Sequence, residues 1–141
     1  MILKNSNMKL IINTDGGSRG NPGPAGIGAV LSDEKGNIAK EISECIGNAT
    51  NNQAEYKALV CALEEAKKLK ADEVNILMDS ELIVKQLKQE YKVKNKDLAP
   101  LFVKVWNLLN EFSKWSIKHI KRDKNKRADE LVNKALDKKT T

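Results

Sequence analysis

Four carboxylates in this chain occupy positions where a solvated acid is not expected: Asp15, Glu55, Asp79 and Asp129. Asp15 follows the apolar run Leu10-Ile11-Ile12 and opens a glycine-rich segment that ends at Gly23. Asp79 closes a second apolar run, Val74 to Met78, and precedes Ser80. Glu55 sits on the apolar stripe of a helical pattern, with Leu59, Ala62 and Ala66 within about 40° of it on the wheel. Asp129 falls in the first turn of the last helical pattern, at the edge of the stripe Ala128, Val132, Leu136. Each acid alone has an ordinary explanation: a turn, a helix cap, an ion pair, a favourable helix dipole. Gathered together, four carboxylates repel one another unless cations neutralise them. An all-oxygen donor set suits a hard ion such as Mg²⁺ or Mn²⁺. Two such ions about 4 Å apart can activate a water and stabilise the leaving oxygen of a phosphodiester. The sequence has no Cys/His cluster for zinc and no phosphate-binding loop ending in Gly-Lys. Metal-dependent phosphodiester hydrolysis is the chemistry these residues favour.

The elements that must carry the acids follow from hydrophobic period and turn residues. Leu10 to Ile12 reads as a buried strand ending at Asp15, and the glycine segment after it reads as irregular. Ala25 to Leu31 and Ile38 to Ile46 read as strands joined by the turn residues Asp33 to Asn37, so the first three strands form an antiparallel meander. Gly23, Gly26 and Gly28 precede a strand rather than a helix, which excludes a dinucleotide loop. Thr50-Asn51-Asn52 offers an N-cap to a helix from Gln53 to Lys70. Val74 to Met78 is a fourth strand, Glu81 to about Glu90 a short helix, and Tyr91 to Lys96 a basic loop. Asp97 or Asn95 is expected to cap a third helix with Pro100 in its first turn. Trp115 to Ile120 alternates as a fifth strand, and Arg127 to Leu136 closes the chain as a helix. The order βββ, α, β, αα, β, α implies a mixed α/β sheet flanked by helices. In such sheets ligands gather at the carboxyl ends of strands. Asp15 and Asp79 would stand side by side there if their strands are adjacent and parallel.

The 141 residues suit one domain, with 40% apolar and 31% charged side chains, neither disordered nor membrane-like. No apolar run approaches the roughly 20 residues that span a bilayer. Residues 1–7 read as a short tail without a secretion signal, and residues 8–141 as a single domain. Cys45 and Cys61 have no disulfide or metal spacing, so both read as packing residues in a reducing cytosol. From Lys114 onward ten Lys/Arg stand against four Asp/Glu, a net of +6 equal to that of the whole chain. This basic region suits a polyanionic partner, although a solvated lysine-rich surface has the same composition.

Four motifs in order carry a family resemblance. They are Thr14-Asp15-Gly16-Gly17 with Arg19-Gly20-Asn21-Pro22-Gly23-Pro24, then Thr50-Asn51-Asn52-Gln53-Ala54-Glu55, Asp79-Ser80, and Asn125-Lys126-Arg127-Ala128-Asp129-Glu130-Leu131. The chain resembles a type 1 ribonuclease H from Met8 to about Leu136. The resemblance implies a ribonuclease H-like fold with a five-stranded mixed sheet in the order 3-2-1-4-5. It implies Asp15, Glu55, Asp79 and Asp129 as catalytic ligands of two Mg²⁺ ions, with Mn²⁺ as a substitute. It also implies an endonuclease that cuts the RNA strand of an RNA/DNA hybrid and leaves 5′-phosphate and 3′-hydroxyl ends. Backbone groups at Gly16 and Gly17, with Asn21, Asn52 and Gln53, would then face the minor groove, whose 2′-hydroxyls distinguish RNA from DNA. Thr50 would hold a phosphate of the DNA strand. A cytoplasmic monomer without membrane association is expected.

Two departures from familiar bacterial members stand out. Their mobile loop histidine has no counterpart: His119, the single histidine, falls inside the fifth strand pattern, and Arg122 takes the loop position as an auxiliary candidate for stabilising phosphate charge. The long basic extension of some members is reduced to Tyr91-Lys92-Val93-Lys94-Asn95-Lys96, the compact form of the family. Three alternatives keep the same sequence features: a nuclease that also cuts double-stranded RNA, a module that binds hybrids without cutting, and a structural domain.

Overall fold

A computed structural model describes residues 8–139, so the tail read at residues 1–7 lies outside the described residues. β1 (Lys9–Ser18), β2 (Gly23–Ser32) and β3 (Ile38–Ala49) form an antiparallel meander. After α1 (Asn51–Lys68), β4 (Glu73–Met78) returns parallel to β1. α2 (Glu81–Leu87) and α3 (Ala99–Leu109) lead to β5 (Lys114–His119), which pairs parallel with β4. A 3₁₀ turn (Arg122–Lys124) and α4 (Lys126–Lys139) complete the chain. The sheet order is β3-β2-β1-β4-β5, as expected.

The core lies where the sheet meets α1, α2 and α3, with Leu10, Ile12, Leu59, Leu63, Ile76, Ile83 and Leu109 essentially sealed from water. On the other face α4 buries Ala128, Leu131, Val132, Ala135 and Leu136 against β2 and β3. Side chains also pin α4 to β3: the Ser43 hydroxyl donates to the Leu131 carbonyl at 2.6 Å and the Cys45 thiol to that of Ala135 at 2.9 Å. Cys45 is therefore exposed rather than a core packing residue, because it lies on an edge strand that α4 only partly covers. Among the described residues no helix is long and apolar enough to cross a membrane.

Several element ends differ from the expectation, and three of them change the path of the chain. β1 does not end at Asp15 but runs through both glycines to Ser18, because β2 continues to pair with it from Asp15↔Gly28 to Ser18↔Ala25. Backbone pairing needs no side chain, so the glycines remain in the ladder. α2 stops at Leu87, and the chain turns through Gln89 with φ at 63°. α3 starts at Ala99 after Leu98, and neither Asp97 nor Asn95 caps it; Asn95 Oδ1 instead accepts the Asp97 amide at 2.7 Å and turns the chain before the helix.

Candidate active site

The parallel pairing of β1 and β4 ends at Thr14↔Met78, which places the following residues, Asp15 and Asp79, together at the carboxyl edge of the sheet. Glu55 reaches the same place from α1. That helix begins with a complete capping box: the Thr50 hydroxyl accepts the Gln53 amide at 3.1 Å, and Gln53 Oε1 accepts that of Thr50 at 2.8 Å. One helical turn beyond the cap, Glu55 Oε1 accepts the Gly16 N–H at 3.0 Å. Ligand oxygens of Asp15, Glu55 and Asp79 lie within 4.8 Å of one another, the one such cluster among the described residues.

Asp129 approaches from α4. It borders the same cavity of about 360 Å³ and can hydrogen-bond Asp15 when one of the two is protonated, but it stands outside the tight trio. Its helix can come this close because β2 offers glycines beneath it. A Cβ on Gly28 would stand 2.3 Å from the Ala128 carbonyl oxygen, and one on Gly26 would stand 3.2 Å from that of Val132. The glycines that superficially suggested a nucleotide loop are thus the seat of α4.

The electrostatics follow from this crowding. Burial first, then the Asp79 charge and then Asp129, push the Asp15 carboxyl up to about 7. Burial likewise raises Glu55 well above the usual carboxylate range, with Asp15 and Asp79 adding to it; the Gly16 amide and Arg122 pull the other way. Such a cluster holds its full negative charge at neutral pH only beside a cation. Its donors are all carboxylate oxygens, which fit a hard divalent ion.

Comparison with known proteins agrees with this arrangement. The family model described as "Reverse transcriptase-like" matches residues 13–135. LC11-RNase H1, isolated from compost by a metagenomic approach and solved in complex with an RNA/DNA hybrid, is 51% identical with a TM-score of 0.88. The match covers 94% of this chain and 99% of that one. This chain belongs to the ribonuclease H family. Ribonuclease HI of Halobacterium salinarum is 48% identical over 87% of this chain and 62% of its own length. The bifunctional protein Rv2228c of Mycobacterium tuberculosis is 45% identical over 92% of this chain. The chain spans only 36% of that mycobacterial relative.

Within this ribonuclease H domain the remaining candidates fall into two groups. Gly16 and Gly17 border the acid cavity with Ser18, Asn51 and Arg122. Asn21, Thr50, Asn52 and Gln53 border a separate depression beside Asn95 and Asp97. Some of their polar atoms are already engaged: Asn21 Oδ1 accepts the Asn51 amide at 3.0 Å, and Thr50 and Gln53 cap α1. The side-chain amides of Asn21 and Gln53 keep their –NH₂ groups as donors. Arg122 is exposed on the 3₁₀ turn at the cavity rim, whereas His119 is exposed at the end of β5 and does not border the cavity. The sequence alone did not single out Asn51 or Asn133 as site residues. Asn51 Oδ1 accepts the Ser18 amide at 2.8 Å, and the Asn133 amide donates to the Asp129 carbonyl at 3.2 Å. Asn51 was visible in the Thr-Asn-Asn motif; Asn133 had only its i+4 spacing from Asp129.

Proposed function

We propose that this domain hydrolyses the RNA strand of RNA/DNA hybrids endonucleolytically, with Asp15, Glu55, Asp79 and Asp129 holding two divalent ions, Mg²⁺ or Mn²⁺. The observation that carries the proposal is the Asp15–Glu55–Asp79 cluster, whose oxygens converge within 4.8 Å while burial, and after it the neighbouring acid charges, pushes Asp15 and Glu55 toward protonation. Bound divalent ions would supply the activated water and the charge stabilisation of a phosphodiester displacement that leaves 5′-phosphate and 3′-hydroxyl ends. The chain's own residues supply orientation. The Gly16 amide holds the Glu55 carboxylate toward Asp15. Arg122, at the cavity rim, would meet the charge of a substrate phosphate.

Substrate choice rests on the second group together with Gly17 at the edge of the acid cavity. Gly17, Asn21, Asn52 and Gln53 would read 2′-hydroxyls and base edges across a wide, shallow minor groove, and Thr50 would meet a phosphate of the DNA strand. The hybrid held by LC11-RNase H1 supports that partner for a chain 51% identical to it. All four acids come from one chain, so the site needs no residue from a second copy, and two free thiols suit a reducing cytosol.

The test is cleavage of an end-labelled RNA/DNA hybrid with Mg²⁺, with Mn²⁺ and with chelator, beside duplex DNA, duplex RNA and an Asp79→Asn variant. Metal-dependent cutting of the hybrid's RNA strand alone, abolished in the variant, is the expected result. Cutting of duplex RNA as well would widen the substrate. Tight hybrid binding without cutting under either metal would overturn the hydrolase reading.

A further inference from the structure

Asn125 is a polar side chain sealed almost completely from water, with 1% of its surface exposed. It lies between the 3₁₀ turn and α4, yet its side-chain amide reaches back to the sheet. Nδ2 donates to the Thr14 carbonyl at 2.8 Å and to Asp79 Oδ2 at 3.4 Å. A backbone carbonyl can only accept, so the Thr14 bond fixes the amide's orientation. Oδ1 in turn accepts from Asn13 Nδ2 at 3.2 Å. The backbone carbonyl of Asn125 accepts the Asp129 N–H at 3.2 Å. One residue therefore touches the Asp79 carboxylate, the Asp129 backbone and the residue that precedes Asp15.

We propose that Asn125 is a positioning residue that sets the spacing of Asp79 and Asp129 relative to Asp15 for divalent-ion binding. The inference rests on the hydrolase reading above and deepens it. The chemistry explains the residue type. The site needs a neutral group offering two donors to the Thr14–Asp79 side and an acceptor to Asn13. An aspartate there would set a further carboxylate against Asp79 and turn a lone pair toward the Thr14 carbonyl. Leucine would leave that carbonyl buried without its Asn125 donor and Asp79 without its neutral partner. Removing such an outer hydrogen bond to a metal-ligating carboxylate typically costs about 10–100-fold in metal affinity or activity.

The experiment compares Asn125→Ala and Asn13→Ala with the unsubstituted chain, reading the melting temperature against Mg²⁺ and Mn²⁺ concentration without nucleic acid. kcat and KM on the hybrid are measured in parallel, at a temperature where each variant is folded. Asn13→Ala removes only the partner of Oδ1 and leaves both donor bonds in place. It should lower the melting temperature in chelator without moving the metal midpoint. Asn125→Ala should raise that midpoint by about 10–100-fold and lower kcat at limiting metal by a similar factor, with KM for the hybrid unchanged. Asn125→Ser, with the smaller change in volume, carries the same comparison if the alanine variant does not fold. A folded Asn125 variant with an unshifted metal midpoint would overturn the inference while leaving the hydrolase reading intact. An unsubstituted chain that neither gains stability from divalent ions nor cuts the hybrid would overturn both.

Discussion

Gly16 and Glu55 meet through backbone rather than side chain alone: the Gly16 N–H donates to Glu55 Oε1 at 3.0 Å, while its Cα faces the backbone of α1. A Cβ at Gly16 would stand 2.4 Å from both the carbonyl carbon and the oxygen of Ala54. Helix backbone cannot yield as the end of a flexible side chain can. Gly16→Ala should therefore destabilise the domain by about 1–3 kcal/mol or more and displace Glu55 from the acid cluster. Urea unfolding and metal-dependent cleavage measured on the same variant check both consequences. Normal stability with normal cleavage would contradict the close approach.

The same logic extends to α4. At Gly28 an added Cβ meets the Ala128 carbonyl at 2.3 Å and Leu131 Cβ at 2.9 Å, so Gly28→Ala must push α4 outward. Asp129 rides on that helix, one residue beyond Ala128. The expected outcome is a drop of about 1–3 kcal/mol in stability, together with a fall in kcat larger than the rise in KM for the hybrid. Urea unfolding and steady-state cleavage kinetics on this variant measure the two effects.

The raised acids make stability depend on pH. In the folded, metal-free chain the Asp15 carboxyl is pushed up from its ordinary 3.8 to about 7, and Glu55 rises in the same direction from 4.5. Between the unfolded and folded values the native state binds more protons than the unfolded chain, so raising the pH costs stability. The contribution is fully present below about pH 4 and disappears as the pH climbs through about 7. In chelator the melting temperature should fall between about pH 5 and pH 8 through these two groups. Saturating Mg²⁺ or Mn²⁺ should remove most of that fall, because the ions stabilise the ionised carboxylates of the native state. A melting curve that shifts identically with and without divalent ions would count against the cluster as the source.

The lysines of the segment between α2 and α3 offer a test of hybrid binding. Lys92, Lys94 and Lys96 are all exposed. If they meet phosphates, neutralising them should flatten the dependence of log binding constant on log salt by about 1 for each phosphate that is no longer paired with a lysine. An unchanged slope would assign the electrostatic contribution to the basic C-terminal region instead.

Much of this molecule was legible in its sequence because the informative signals were local. Thr50 lies in the segment that the sequence offers as an N-cap, and Gln53, three residues on, completes a capping box with it. Alternation and helical period set the order of strands and helices, and that order with the four motifs led to the observed sheet. Glu55 stood out as an acid on an apolar stripe, and it is buried at 8% exposure.

What the tertiary structure alone decided depends on pairings between residues far apart in the chain. β1 continues through Gly16 and Gly17 because β2 supplies its hydrogen bonds, a fact absent from the composition of the segment itself. Gly26 and Gly28 look like loop residues in isolation, but the approach of α4, which begins only at Lys126, gives them their purpose. Asn125 lies 111 residues from Thr14 and 46 from Asp79, so its hydrogen bonds to both exist only once the parallel β1–β4 seam has formed. Spacing along a chain reports what neighbouring residues can share; which acids meet, and what holds them apart, is set by packing across it.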